Sequence, residues 1–348
     1  LTAACYTYYV YNNLGQLRFV LSPEYKNNSA NRAIYSYEYR YDNKGRLIEK
    51  ILPGGDGDGV SVKYWYDNAD RVAFAQDAAL GGRYRFCLYD KFGRMCVQGT
   101  CSSVNTSTDK LSTTTFSAGS DGICKTGYSI PYTISSPQLE IVNYYDKYDF
   151  KDKQKNVMPA VTITEEQKQY SIGFLTGSVV YTSNGQALGS VSVYDQKGQV
   201  VRSLRKGLDN FVEDVSTVYT FTGAVANAEA KVNVKYGSSF IAKTCYEYAY
   251  GKKKNMSLSV SHGNSALTRT TAYNYDFTGK LSRKDRQLGS QKSYCSYTYD
   301  IHGWLTSISS GGFTEQLYYA DGLNGGYYNG NISTIKWKTA GELYCQGY

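Results

Sequence analysis

Short stretches of alternating hydrophobic and polar residues, cut at intervals by a tight turn signal, run through almost the whole of this chain. Tyr39-Arg40-Tyr41-Asp42-Asn43-Lys44-Gly45-Arg46-Leu47 shows the unit in full. Alternation with period two marks a half-buried β-strand, because successive side chains point to opposite faces. Asp favours the first position of a type I turn, where its carboxylate accepts from the backbone N–H groups ahead of it. Gly three residues later takes the left-handed conformation that closes the turn. The stretch predicts a β-hairpin with a three-residue loop and a one-residue Gly bulge. In that register Asp42 lies opposite Arg46, Tyr41 opposite Leu47 and Tyr39 opposite Glu49. Tyr39, Tyr41 and Leu47 then share one face, and Asp42 and Arg46 pair on the other. One such hairpin is marginal alone and needs neighbours.

Neighbours follow along the chain. Copies stand at Tyr11-Asn12 to Gly15, with Asn12 in the Asp role, and at Tyr66-Asp67, where Asp70 replaces the Gly and tolerates the left-handed region. Further copies are Tyr89-Asp90 to Gly93, Tyr194-Asp195 to Gly198, Tyr275-Asp276 to Gly279 and Tyr299-Asp300 to Gly303. Eroded copies lie at Tyr144-Tyr145-Asp146, at Tyr219 to Gly223 and at Tyr246 to Gly251, and Tyr-rich strands continue from Tyr318 to Trp337. Tyr11, Tyr41, Tyr66 and Tyr89 recur every 23 to 30 residues, as do Tyr250, Tyr275 and Tyr299. A fixed period means one supersecondary unit per repeat, stacked on its neighbours. The expected fold is all-β: tandem antiparallel hairpins forming one long twisted, spiralling sheet or open shell. It divides into repeats over 1–98, a Ser/Thr-rich irregular hairpin or insertion over 99–142, and repeats over 143–348. Ser22 to Arg32, around Pro23, reads as a loop or short helix. Thr164 and Gln167 have capping-box spacing, which predicts one helix over Glu165 to Tyr170.

Composition supports strands. Tyr occurs 37 times against 12 Phe and 3 Trp, an excess that suits half-buried strands needing a large side chain with a polar tip. The formal charge of +8 comes from 38 basic and 30 acidic residues, spread too evenly for a nucleic-acid footprint. Lys252-Lys253-Lys254 and Arg283-Lys284-Asp285-Arg286 read as solvated charge after turns. No apolar run is long enough to span a bilayer, and the chain begins inside the pattern.

Candidate chemistry is sparse. Eight cysteines (Cys5, Cys87, Cys96, Cys101, Cys124, Cys245, Cys295, Cys345) form no CxxC pair, which argues against a zinc ribbon. The bulged register sets Cys96 against Leu88 and Cys87 against Val97, so these two sulfurs point to opposite faces, and most of the eight are expected to be reduced, small, buried residues. Gly54 to Gly59 is shaped like a calcium loop, but Ser61 stands where Gly is needed and no Glu closes it, so a hairpin tip is the better reading. His262 and His302 are the two histidines, both in polar turns, and no nucleophile elbow, P-loop or HExxH motif accompanies them. The expectation is a non-catalytic chain with no cofactor and no metal.

On Tyr41 to Leu47 and Tyr89 to Met95, and more loosely on Tyr275 to Leu281 and Tyr299 to Leu305, the chain resembles the bacterial Rhs, or YD-repeat, family. The resemblance implies a long antiparallel sheet that spirals into a hollow shell around a C-terminal toxic domain, as in the cocoon component of insecticidal toxin complexes. It implies a secreted or bacterial cell-surface protein whose partners are the flanking repeats and the C-terminal effector of the same polypeptide. The family's shell ends in a segment with Asp-Pro motifs, and no Asp-Pro pair occurs here, so the chain reads as an internal piece of wall. Other family members are described as carbohydrate-binding. The alternative function is therefore a surface adhesion module for cell-surface glycans, with Trp65 and Trp304 as the stacking contacts. Strict spacing favours rings that pack on each other between hairpins.

Overall fold

The structure, a computed structural model, describes residues 5–26, 32–54, 61–104, 114–152, 156–234, 239–323, 325–339 and 342–347. Within them the chain is nearly all β, and 23 strands join in one antiparallel sheet. The turns form as their residues dictate. The Asp42 N–H donates to the Arg46 carbonyl at 2.9 Å and the Gly45 N–H to the Asp42 carbonyl at 3.0 Å. The same two bonds recur at Asn12, Asp67, Asp90, Asp276 and Asp300, and at Thr220 in an eroded copy. Gly45 has φ of 82° and Asp70, in the Gly role, φ of 60°. Because strands alternate in direction, repeat turns fall on a single edge of each unit. Thr182 and Gly185 build the same turn on the opposite edge, a copy the period conceals.

The register departs from expectation by one residue beyond each turn. Tyr41 pairs with Leu47 as expected, but Arg40 pairs with Glu49 and Tyr39 with Lys50, leaving Ile48 unpaired. Tyr39 therefore faces Lys50, not Glu49. The cause is a second irregularity, a β-bulge directly after the turn, which adds a residue to one strand and increases local twist. The same shift occurs at Tyr11, Tyr66, Tyr89, Tyr219, Tyr275 and Tyr299. It also corrects the cysteines: Cys87 pairs with Gln98, Leu88 with Val97, and Cys96 is the bulged residue. None of the eight is in a disulfide, but just Cys96 and Cys101 are buried, while Cys5, Cys124, Cys245 and Cys345 are exposed.

The chain divides into two compact units, residues 1–198 with 205–208, and residues 199–204 with 209–348. In the first, one sheet face carries a covering layer. Ser103–Val104 pairs with Ile134–Ser135, and Thr115–Phe116 pairs with Tyr128–Ser129. This arm lays Phe116 and Tyr128 on Tyr144, with ring centroids 5.7 and 5.5 Å away. Phe150 stacks on Tyr144 at 4.5 Å. Phe74, Phe86, Val97, Val142, Val179 and Val191 extend the core with no exposed surface, each side chain contributing about 1.5–3 kcal/mol by burial. Gly177 lies under Phe150, where a Cβ would come within 2.3 Å of the ring.

Residues 146–174 replace a tight turn in this unit, yet Tyr145 still pairs with Leu175 across the usual bulge. The replacement contains the helix Glu165–Tyr170, whose Thr164 and Gln167 form the expected reciprocal cap. A second short helix, Arg32–Tyr35, and a 3-10 turn at Pro23–Lys26 occupy the segment after the first hairpin. Residues 55–60 of the glycine-rich tip and 105–113 of the Ser/Thr-rich insertion lie outside the described residues.

The second unit is thinner. Leu204, Val232 and Tyr319 are its buried hydrophobic residues among those described, and its strands are long, with eleven residues each in Lys252–His262 and Ser265–Tyr275. Cross-strand contacts such as Lys284 over Tyr297, at 5.3 Å, stabilise neighbouring strands. One repeat position is corrected here. Tyr250 and Gly251 both have positive φ and form a two-residue turn between Ala249 and Lys252. Tyr248, not Tyr250, therefore takes the strand-end place of the repeat.

Candidate functional site

The repeat-defining residues gather along the turn edge of each unit, where they form a chain of closed pairs. The Oδ1 atom of Asp42 accepts from the N–H groups of Lys44 and Arg46, each at 2.9 Å, and Oδ2 accepts from Arg46 Nε at 2.7 Å. Asp67 does the same with Ala69 and Arg71, and Asp90 with Phe92 and Arg94. Asp195 accepts from the Lys197 N–H, Asp276 from Lys280 and Asp300 from Trp304. Burial pulls the Asp42 carboxyl upward, but the Arg46 N–H and guanidinium outweigh it and hold the group below the ordinary carboxylate range.

The residue after the turn Gly reaches onward to the next turn. Arg46 Nη1 donates to Asp70 Oδ1 at 2.5 Å, Arg71 Nη1 to the Asp90 carbonyl at 3.3 Å, and Arg94 to both Asp146 oxygens at 2.8 and 2.6 Å. Gln16 bonds the Gly45 carbonyl, Gln199 that of Gly223 and Lys252 that of Gly279. The guanidinium groups of Arg46, Arg71 and Arg94 also lie over Tyr66, Tyr89 and Tyr145, 4.7, 4.5 and 4.4 Å from the ring centres.

Each repeat tyrosine from Tyr41 onward then closes the joint from its own side. The phenols of Tyr41, Tyr66, Tyr89, Tyr145 and Tyr194 donate to the carbonyls of Leu17, Leu47, Val72, Met95 and Leu175. In the second unit Tyr219, Tyr248, Tyr275, Tyr299 and Tyr319 donate to Val200, Val225, Lys253, Leu281 and Leu305. In nine of the ten pairs the acceptor is the first residue of the return strand of the preceding hairpin and in the tenth, Lys253, the second. A bulge follows it directly at Leu17, Leu47, Val72, Met95, Leu175, Val225, Lys253, Leu281 and Leu305. A bulge interrupts the ladder and leaves backbone groups to be satisfied elsewhere, and the next hairpin supplies the donor. Sequence reasoning placed these tyrosines on the contact face but missed the hydroxyl's partner. The available signal was a position locked to Tyr where Phe would pack equally well.

Trp65 meets Tyr84 edge-on at 5.4 Å and packs against the buried cluster of the first unit. Trp304 lies 4.8 Å from the His302 ring and 5.0 Å from Tyr319, and a Cβ on Gly330 would touch it at 3.2 Å. It borders an open cavity of about 670 Å3 with Asp300, Gln316, Asp321 and Tyr328. His262 Nδ1 lies 3.0 Å from the Ser239 carbonyl. Among the described residues no three potential metal ligands cluster, and no helix is long and apolar enough to cross a membrane.

No family model and no curated protein matches the sequence. Among solved structures the chain is similar to a chain of the Photorhabdus luminescens Tc holotoxin pore, at 12% identity, over 98% of this chain and 18% of that one, with a TM-score of 0.35. It is also similar to a porin-like protein from Bacteroides uniformis, at 8% identity, over 82% of this chain and 96% of that one, with a TM-score of 0.27. The chain thus spans less than a fifth of the toxin-complex chain.

Proposed function

We propose that this chain is a non-catalytic wall segment of the Rhs, or YD-repeat, kind, which encloses or presents an effector domain carried further along the same polypeptide at the bacterial surface or outside the cell. The observation that supports this most is the tyrosine joint. From Tyr41 to Tyr319 each repeat tyrosine donates its phenol to a carbonyl of the hairpin before it. A surface made of such units extends by repetition and needs no other part. The carboxylates of Asp42, Asp67 and Asp90 and the guanidinium groups of Arg46, Arg71 and Arg94 are engaged in holding turns together, which is what a wall requires.

Limited proteolysis of the full-length polypeptide tests the reading. Any domain downstream of the repeats is expected to resist protease while joined to them and to be cut readily when produced alone. Equal cleavage in both settings would overturn enclosure. The wall reading also leaves Trp65 and Trp304 as packing residues. Binding on a glycan array that vanishes with Trp304→Ala would favour the adhesion reading.

A further inference from the structure

Four successive repeat turns of the second unit each lift one large apolar side chain into solvent. Phe221, Tyr250, Phe277 and Ile301 are 93, 103, 101 and 96% exposed. The turns do not require them, because the residue after the turn Asp in the first unit is Asn43, Asn68, Lys91 or Gln196. Scattered apolar residues on a surface are ordinary. Phe221, Phe277 and Ile301 hold the second position of a four-residue loop and Tyr250 the first of a two-residue turn, so an apolar residue at the tip of four turns running, at nearly full exposure, is not scatter. Strands lie about 4.8 Å apart and same-edge turns two strands apart, so the four tips form a row about 30 Å long.

Charge accompanies the row. Lys252, Lys253 and Lys254 follow the Tyr250 turn and all are exposed, and Lys280 closes the Phe277 turn. Lys254 is the residue the bulge leaves unpaired, between Lys253 and Asn255. The turn carboxylates Asp276 and Asp300 point back onto backbone N–H groups, so the lysines dominate the outward face.

We infer that this turn edge docks on an anionic lipid bilayer, with Phe221, Tyr250, Phe277 and Ile301 entering the interfacial layer and Lys253 and Lys254 at the headgroups. The spacing favours a bilayer over a protein partner. Tips about 10 Å apart do not make the contiguous apolar centre that a protein interface needs. A lipid interface accepts isolated aromatic and aliphatic tips one by one, and juxtamembrane lysines add attraction to acidic headgroups. The contact is peripheral and needs no spanning segment.

Flotation with vesicles tests it. The protein is expected to float with phosphatidylcholine vesicles containing phosphatidylserine and to float less with phosphatidylcholine alone. Combining Phe221→Ser, Phe277→Ser and Ile301→Ser should weaken binding about tenfold or more, with the β circular dichroism signal and unfolding midpoint unchanged because the tips are almost fully exposed. Lys253→Gln with Lys254→Gln should remove the preference for phosphatidylserine. In Phe277→Trp the new indole should be quenched by brominated lipid. Protein that stays in the soluble fraction with both vesicles, or a folded triple variant that floats like the original, would overturn the inference and leave the tips to a protein partner.

Discussion

The phenol of Tyr66 donates to the backbone carbonyl of Leu47 at 2.6 Å, across the boundary between two hairpins. On the same ring lies the guanidinium of Arg46, from the hairpin that owns Leu47. One tyrosine thus receives a cation on its face and gives a proton from its edge to a single neighbouring repeat. The turn that orients Arg46 is built by Asp42, so turn chemistry and the joint between repeats are one mechanism.

Tyr66→Phe keeps the ring, the packing and the guanidinium contact and removes the donor. The Leu47 carbonyl then loses its partner at a bulge, which should cost about 1 kcal/mol. Chemical denaturation monitored by circular dichroism measures it. A Tyr66→Phe protein as stable as the original would mean that water replaces the phenol at no cost and that the stitch is packing alone.

Gly45 has φ of 82°, and a Cβ there would meet the flexible end of Gln16 at 3.0 Å. Space is therefore the smaller obstacle and backbone conformation the larger. Gly45→Val should destabilise by roughly 1 kcal/mol or more and should raise hydrogen exchange at the neighbouring strands first. Exchange unchanged at residues 39–50 would show that the turn does not set the register.

The row of hairpins was legible in the sequence because Asp, Gly and strand alternation act within a few residues. What the sequence concealed lies across strands. The bulge at Ile48 moves Lys50 opposite Tyr39, and no local preference of Ile48 announces it. Thr220 builds a turn with its backbone as Asp42 does, so Tyr219 to Gly223 is a working copy that reads as eroded. At Tyr250 a two-residue turn shifts the repeat tyrosine to Tyr248, because positive φ at both positions replaces the Asp-x-x-Gly loop. The phenol acceptors could not be assigned at all without the neighbouring hairpin in place.

Arg94 bridges two carboxylates, Asp90 of its own turn and Asp146 where a 29-residue excursion begins. The Arg94 guanidinium is the main cause that holds the Asp146 carboxyl below its ordinary 3.8, against the upward pull of burial. A depressed carboxylate adds stability that is present above its unfolded value and lost as pH falls through its folded value. Asp146→Asn should therefore cost about 1 kcal/mol near neutral pH, and the gap from the original should close below about pH 4. A gap that is the same at both pH values would show that charge is not what Asp146 contributes.

The tyrosine joints make the opposite prediction at the alkaline end. Burial raises the Tyr66, Tyr89, Tyr145, Tyr194, Tyr299 and Tyr319 phenols above the ordinary 10.0, and each must keep its proton to donate to a carbonyl. A group whose folded value is raised adds stability that is complete below its unfolded value and lost as pH climbs through the folded one. The window therefore opens near pH 10 and extends upward. Because several joints share it, loss should be cooperative, with phenolate absorbance and loss of the β circular dichroism signal rising together. Tyr66→Phe should remove one participant and soften the transition. Phenolate forming in full while the sheet signal persists would mean that the hydroxyl bonds do not hold the repeats together.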